Sequence, residues 1–179
     1  KVKDPATARI FITEMLNRNI RYTDAAFVSL AYDAAKLDDL KTLATLDQEC
    51  SAVKLPMEMR QASLKLGMRL LKIFQPMIQK DIADQYRKMI LEKSADGHYC
   101  IVFGLMASLM NISKEDALHG FFYNATVGFV TNSVKLIPLS QQSGQEILFS
   151  LQPLIKELAE ENMEPDKALI GLCCTGFDI

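Results

Sequence analysis

The stretch that decides the fold is Lys114-Glu-Asp-Ala-Leu-His-Gly-Phe-Phe-Tyr-Asn-Ala-Thr-Val-Gly-Phe-Val-Thr-Asn-Ser-Val-Lys-Leu-Ile137. Ser113 precedes it and Pro138 follows it. Ser113 with Asp116 three residues on is a capping box in type, with Asp in place of Glu or Gln. Pro138 cannot continue a helix, because it lacks an N–H and clashes with the preceding turn. Between the two signals a helix of 24 residues fits, roughly 36 Å long at about 1.5 Å per residue. Gly120, Asn124 and Gly128 recur every fourth residue, which lines small side chains along one ridge. Each glycine costs a helix roughly 1 kcal/mol relative to alanine. A helix that accepts two of them uses the space they leave, for another helix of the same chain or for a partner. Both readings stand. His119 and Tyr123, also four apart, share an adjacent ridge, and Tyr is enriched at the centres of binding interfaces.

Helix signals extend in both directions from this element. Asp4-Pro5 is an N-cap followed by Pro at the first helical position, and Ile10, Phe11, Met15 and Leu16 then follow helical spacing. Thr23 or Asp24 opens a second helix through Ala35, with Ala26, Phe27, Leu30 and Ala31 inward. Asp38 or Asp39 opens a short third one near Leu40 to Ala44, and residues 49–55 read as a loop. Pro56 starts a helix to about Gln75 with an inward stripe of Met59, Ala62, Leu66, Leu70 and Phe74. Pro76 restarts the chain into a helix over 77–92, and Ser94-Ala-Asp-Gly97 is a turn. The apolar run Tyr99 to Met110, broken only by Gly104 and Ser108, is too short to span a bilayer and reads as a buried helix. After a polar break at Ser140 to Ser143, one long helix is expected from Gly144 to Glu161, then a short tail helix at Pro165. No segment alternates apolar and polar residues, and none repeats. The expectation is all-α: a single-domain bundle of seven or more helices covering residues 1–179.

Composition narrows the function. The chain has 179 residues, 49% of them hydrophobic, and a net charge of −2, so it has ample apolar surface to offset the ordering entropy of a fold. A near-neutral charge offers no net field for phosphates, which argues against nucleic acid as a partner. Two His exclude a His-rich metal site. Four Cys, at 50, 100, 173 and 174, contain no Cys-x-x-Cys and are too few for a disulfide scaffold. Reduced cysteines and the lack of a leader pattern point to the cytoplasm, with no membrane as partner.

Catalytic patterns are missing. No phosphate-binding Gly-x-x-x-x-Gly-Lys-Ser/Thr and no dinucleotide Gly-x-Gly-x-x-Gly is present. Neither His98 nor His119 sits in a nucleophile context, and no catalytic residue is assigned. His98 and Cys100 are weak candidates for a soft metal, because residues two apart on a helix do not face each other; His98 reads as a cap of the turn beside Gly97. Cys173 and Cys174 are equally weak candidates, read as small buried or tail residues.

Two blocks resemble a known family. His98-Tyr-Cys-Ile-Val-Phe-Gly104, Tyr123, and Ser133-Val-Lys-Leu-Ile-Pro-Leu-Ser-Gln141 with Gly144-Gln145 resemble the urease accessory protein UreF family. Pro56-Met-Glu-Met-Arg60-Gln-Ala-Ser63 with Leu66-Gly67 is similar to that family's Glu-x-Arg-x-Ala-Ser-x-x-x-Gly signature. The resemblance implies an all-helical, non-catalytic assembly chaperone without a cofactor. It implies binding to UreD (UreH in some organisms), recruitment of the GTPase UreG, homodimer formation, and help in delivering nickel to apo-urease. Two further roles come with it as alternatives, direct nickel binding and regulation of the UreG GTPase. The partner-binding residues it implies are His119, Tyr123, Lys135, Gln141, Gln145, Glu58 and Arg60. Some relatives carry arginine where His119 stands. A histidine, mostly neutral near pH 7, lacks the fixed positive fork that an activating finger needs. Ser63 and Gly67 read as structural, Gly67 at a crowded helix crossing. Family members also carry a segment before Lys1 and a tail after Ile179 that contribute to partner contacts.

Overall fold

The computed structural model describes residues 2–172. Among them are nine α-helices and no strand, the all-α bundle the sequence predicts. Helix α1 (Pro5–Met15) starts as expected: the Asp4 carboxylate accepts from the Thr7 N–H, and the Thr7 hydroxyl answers the Asp4 backbone. A wider π-type turn over Leu16–Ile20 leads into α2 (Asp24–Lys36), whose alanine-rich face packs against α6 (Tyr99–Leu109). A Cβ on Gly104 of α6 would lie 2.4 Å from the Val28 carbonyl of α2. That bare backbone is what brings the two helices so close. The apolar 99–109 run is buried at most positions, as its hydrophobicity demands.

The long helix is α7 (Lys114–Leu136), with the Ser113 hydroxyl accepting from the Asp116 N–H. Its apolar side packs on α6 through Phe121, which lies 5.2 Å and 5.9 Å from the ring centroids of Phe103 and Tyr99. The Lys114 ammonium ties its start to the rest of the bundle, reaching Asp33 and the Met163 carbonyl at 2.6 Å each.

Several elements depart from the sequence reading. Helix α3 runs Leu40–Val53 rather than stopping near Ala44, so the expected loop over 49–55 is mostly helix. Its inward line is Leu43, Leu46, Asp47 and Cys50; a buried carboxylate and a thiol break the apolar periodicity that would have announced it. Helix α4 (Met57–Phe74) has the expected bounds, but it buries Ser63, Gly67 and Leu71; of the expected stripe Leu70 and Phe74 are half-buried against the core, while Met59, Ala62 and Leu66 are exposed. Small residues let α4 lie against the chain before α6. The Met59–Ala62–Leu66 part of the stripe, turned away, stays at the surface. Helix α5 begins at Asp81, after a 3₁₀ turn at Gln75–Met77, and ends at Leu91. The single long helix expected over 144–161 is two, α8 (Gln141–Ser150) and α9 (Gln152–Glu161). Pro153 in the first turn of α9 has no N–H to bond back into α8, which breaks the helix at Leu151. The Ser140–Ser143 segment is the cap and first turn of α8, the Ser140 hydroxyl accepting from the Ser143 N–H. The tail helix at Pro165 is a single 3₁₀ turn, Lys167–Leu169.

Candidate functional site

The exposed ridge of α7 is one of two arrangements of interest. An ideal Cβ on Gly120 or on Gly128 meets nothing within 4 Å. Among the described residues the two glycines therefore make no close helix contact, which disfavours the intramolecular reading of the ridge at these positions. Gly120, Asn124 and Gly128 are exposed, His119 is half-buried, and Tyr123 keeps 41% of its surface in solvent. Further along, Lys135 at the end of α7 meets Gln141 and Gln145 of α8 around a shallow recess of about 80 Å³, floored by Val130, Val134 and Gly144. Five of the seven residues implied as partner contacts thus lie on α7 and α8. The other two sit at the start of α4: Glu58 is exposed and Arg60 donates from Nε to the Lys54 carbonyl at 3.0 Å. A recess of about 750 Å³ between α2, α3 and the 167–170 turn is lined by none of these residues.

The second arrangement is buried, and sequence reasoning missed most of it. Helix α6 has no side-chain cap of its own. Asp47 of α3 supplies the acceptor instead. Its carboxylate, fully buried, accepts from the backbone N–H groups of Asp96, Gly97 and His98 at 2.6, 2.8 and 3.0 Å. A negative group there also suits the positive end of the α6 dipole.

His98 does not cap the turn with its ring. The ring is fully buried, Nε2 2.8 Å from Ser51 Oγ and Nδ1 3.1 Å from Ser63 Oγ. The Ser51 hydroxyl donates to the Asp96 carboxylate, and Ser63 Oγ accepts from the Tyr99 N–H. One assignment satisfies all five groups: Nε2–H donates to Ser51, and the Ser63 hydroxyl donates to Nδ1. This order differs from an acyl-transfer relay, in which the acid orients the imidazole. Here the acid holds the serine, and the imidazole bridges α3 and α4 with no opening to solvent.

Cys50 and Cys100, both fully buried, approach to 3.5 Å between sulfurs. The Cys100 thiol as hydrogen-bond donor holds the Cys50 thiol down to about 7 against the push of burial, with His98 adding to the effect. Burial drives the Cys100 thiol well up. His98 and Cys100 are therefore committed to the interior of the fold. Among the described residues no group of three or more His, Cys, Asp or Glu is arranged to hold a metal ion. Cys173 and Cys174 lie outside the described residues.

Lys54 ends this polar seam. Its ammonium contacts both oxygens of Asp24 at 2.8 Å, with side-chain exposures of 8% and 16%. Burial, the largest single influence, pulls the lysine pKa down, but the Asp24 carboxylate together with the Cys100 and Cys50 sulfurs outweighs it and the net shift is upward. Replacing Lys54 with methionine leaves Asp24 nearly buried without a counter-charge. The expected loss is about 3 kcal/mol, read from the urea midpoint at neutral pH. The double variant Lys54→Met, Asp24→Leu is expected to recover most of it, since neither charge then remains to be desolvated.

Fold and geometry together define a class: an all-helical protein whose polar interior is structural and whose unfilled chemistry lies on helix surfaces. Within that class the sequence model of the UreF family matches residues 2–152. A urease accessory protein UreF from Actinobacillus pleuropneumoniae serotype 5b is 41% identical over all 179 residues, which span 79% of that relative. The Haemophilus influenzae Rd protein of the same name is 41% identical over 178 residues, 99% of this chain and 76% of its own. That of Sporosarcina pasteurii is 32% identical over 171 residues, 96% and 85% of the two chains. The chain belongs to the urease accessory protein UreF family. No helix among the described residues is long and apolar enough to cross a membrane.

Proposed function

We propose that this chain acts in the cytoplasm as a non-catalytic assembly factor in urease maturation. It binds UreD (UreH) and then recruits the GTPase UreG for nickel delivery to apo-urease. The observation that carries the reading is the α7 ridge. Gly120 and Gly128 accept the cost of helix glycines while leaving open space beside them, and Tyr123 stands half-exposed next to them. Bare backbone beside an amphipathic ring is the surface a close-packing partner helix uses. Lys135, Gln141 and Gln145 continue that surface with polar groups suited to an interface rim.

Size-exclusion of the full-length protein with UreD, then with UreG added, tests the proposal. The expected result is a stable complex at each step. No complex, under conditions where a set from another organism assembles, sinks it. GTP turnover by UreG with and without the chain separates scaffolding from regulation. Tyr123→Ala is expected to weaken assembly about tenfold or more, as loss of an interface hot spot does, with helix content by circular dichroism unchanged. Loss of helicity in that variant would show that Tyr123 serves the fold instead.

A further inference from the structure

Helix α4 meets the bundle along one main line, with Leu70 and Phe74 half-buried against the core beside it. Only Ser63, Gly67 and Leu71 are buried, and α6 is its main helical neighbour. Roughly 100° further round the helix, at about 3.6 residues per turn, runs a second line. It consists of Met59, Leu66 and Ile73, which are 48%, 51% and 50% exposed, with exposed Ala62 and half-buried Leu70 between them. Leu55 just before the helix and Met77 just after it add exposed apolar surface at the two ends, each more exposed still. A lone exposed leucine needs no explanation. A continuous apolar line at helical spacing is the pattern of a helix with a partner.

Charge indicates what the partner offers. Beyond the apolar line, on the side away from the buried one, come Lys65, Arg69 and Lys72, all exposed. None of the three forms an ion pair among the described residues. Glu58 is the single acid on the helix. The whole chain carries a net charge of −2, so three unpaired cations in two turns are a local feature and not a reflection of general basicity. Met59 and Met77, one toward each end, add flexible, polarisable contact surface that adapts to a partner's shape.

We propose that this face of α4 docks an acidic amphipathic helix of a partner protein. The partner's apolar ridge lies on the Met59–Leu66–Ile73 line, and its carboxylates meet Lys65, Arg69 and Lys72. The cations stand on one flank only, the other being packed toward α6. That one-sided order suits a parallel rod. An anionic membrane surface is better matched by cations on both flanks of an apolar stripe. The proposal is carried by α4 alone and does not depend on the urease reading.

The test uses the full chain and a fluorescent synthetic peptide of about five helical turns. One face of the peptide is leucine and its flank is glutamate; binding is read by anisotropy. Binding that weakens with added salt is expected. The triple variant Lys65→Glu, Arg69→Glu, Lys72→Glu is expected to lose affinity about tenfold or more. It touches no buried residue, so it folds as the parent does. Leu66→Asp is expected to lose binding as well, and a lysine-flanked version of the peptide is expected not to bind. Equal binding of the lysine peptide, or indifference to the charge reversal, overturns the proposal. So does preferential binding to vesicles of phosphatidylglycerol and phosphatidylcholine that the same variants abolish. A concentration-dependent dimer that Leu66→Asp dissolves would assign the face to a second copy, and also overturns it.

Discussion

Replacing Asp47 with alanine is expected to cost about 4 kcal/mol, from three backbone donors left without an acceptor at about 1–3 kcal/mol each. The donors are the N–H groups of Asp96, Gly97 and His98, all within 3.0 Å of the carboxylate. Asp47 itself is fully buried, so its three donors have no bulk water at hand to take the place of the carboxylate. The loss is a large share of the roughly 5–15 kcal/mol by which domains are stable. The same removal also uncaps α6, the helix that both α2 and α4 pack against. Asp47→Asn keeps the shape and one carbonyl oxygen but forfeits the charge, so about half the loss is expected. Urea unfolding at neutral pH measures both. An alanine variant within about 1 kcal/mol of the parent would show that the three donors find other acceptors, and the capping role would be wrong.

Asp47 also explains why the sequence was legible in some places and opaque in others. The α7 helix could be read because its signals are local: Ser113 caps it, Pro138 ends it, and both act within one turn. The burial of α6 could be read because eleven nearly unbroken apolar residues have nowhere else to go. The end of α3 could not. Its inward line places a carboxylate between Leu46 and Cys50, and an acid in the core makes sense only once the N–H groups of residues fifty positions away stand opposite it. The α4 face misled for the opposite reason. The usual rule turns the largest apolar residues inward, but here close backbone approach at Gly67 decides the contact, and Met59, Leu66 and Ile73 are left outside while Leu70, Leu71 and Phe74 pack in. The break at Leu151 has a local sign in Pro153, but the helical periodicity on either side of it runs straight through.

The candidate surfaces divide in the same way. Small residues every fourth position on α7 were visible as a pattern, but whether they faced the chain or the outside depended on tertiary contacts that no spacing reports. The meeting of Lys135 with Gln141 and Gln145 depends on the turn between α7 and α8. The Ser51–His98–Ser63 bridge joins three segments, and none of the three residues carries a local sign of the others.

Gly67→Ala and Gly120→Ala are expected to move stability in opposite directions, although both put the same methyl group into an α-helix. In isolation each change favours the helix by roughly 1 kcal/mol. At Gly67 the new Cβ would lie 2.1 Å from the Gly97 carbonyl oxygen, and 2.9 Å from both the His98 carbonyl carbon and the Tyr99 nitrogen. These are backbone atoms, held by the Asp47 carboxylate and by the Ser63 hydroxyl, so they cannot step aside as a flexible side chain would. Either α4 lifts away or the start of α6 shifts and loses its cap. Overpacking of this kind costs about 3 kcal/mol or somewhat more, which exceeds the propensity gain and leaves a net loss of at least about 2 kcal/mol. At Gly120 nothing stands within 4 Å, so the propensity gain is kept and the isolated chain is expected to become more stable by roughly 0.5–1 kcal/mol. Thermal unfolding of the two variants beside the parent reads both signs in one experiment. A neutral Gly67→Ala would mean that α4 and α6 are not in contact at this crossing. A destabilised Gly120→Ala would mean that the α7 ridge is packed inside the molecule. The same Gly120→Ala protein, more stable alone, is expected to assemble less well with UreD or UreG if the bare backbone at that position is where a partner helix lies.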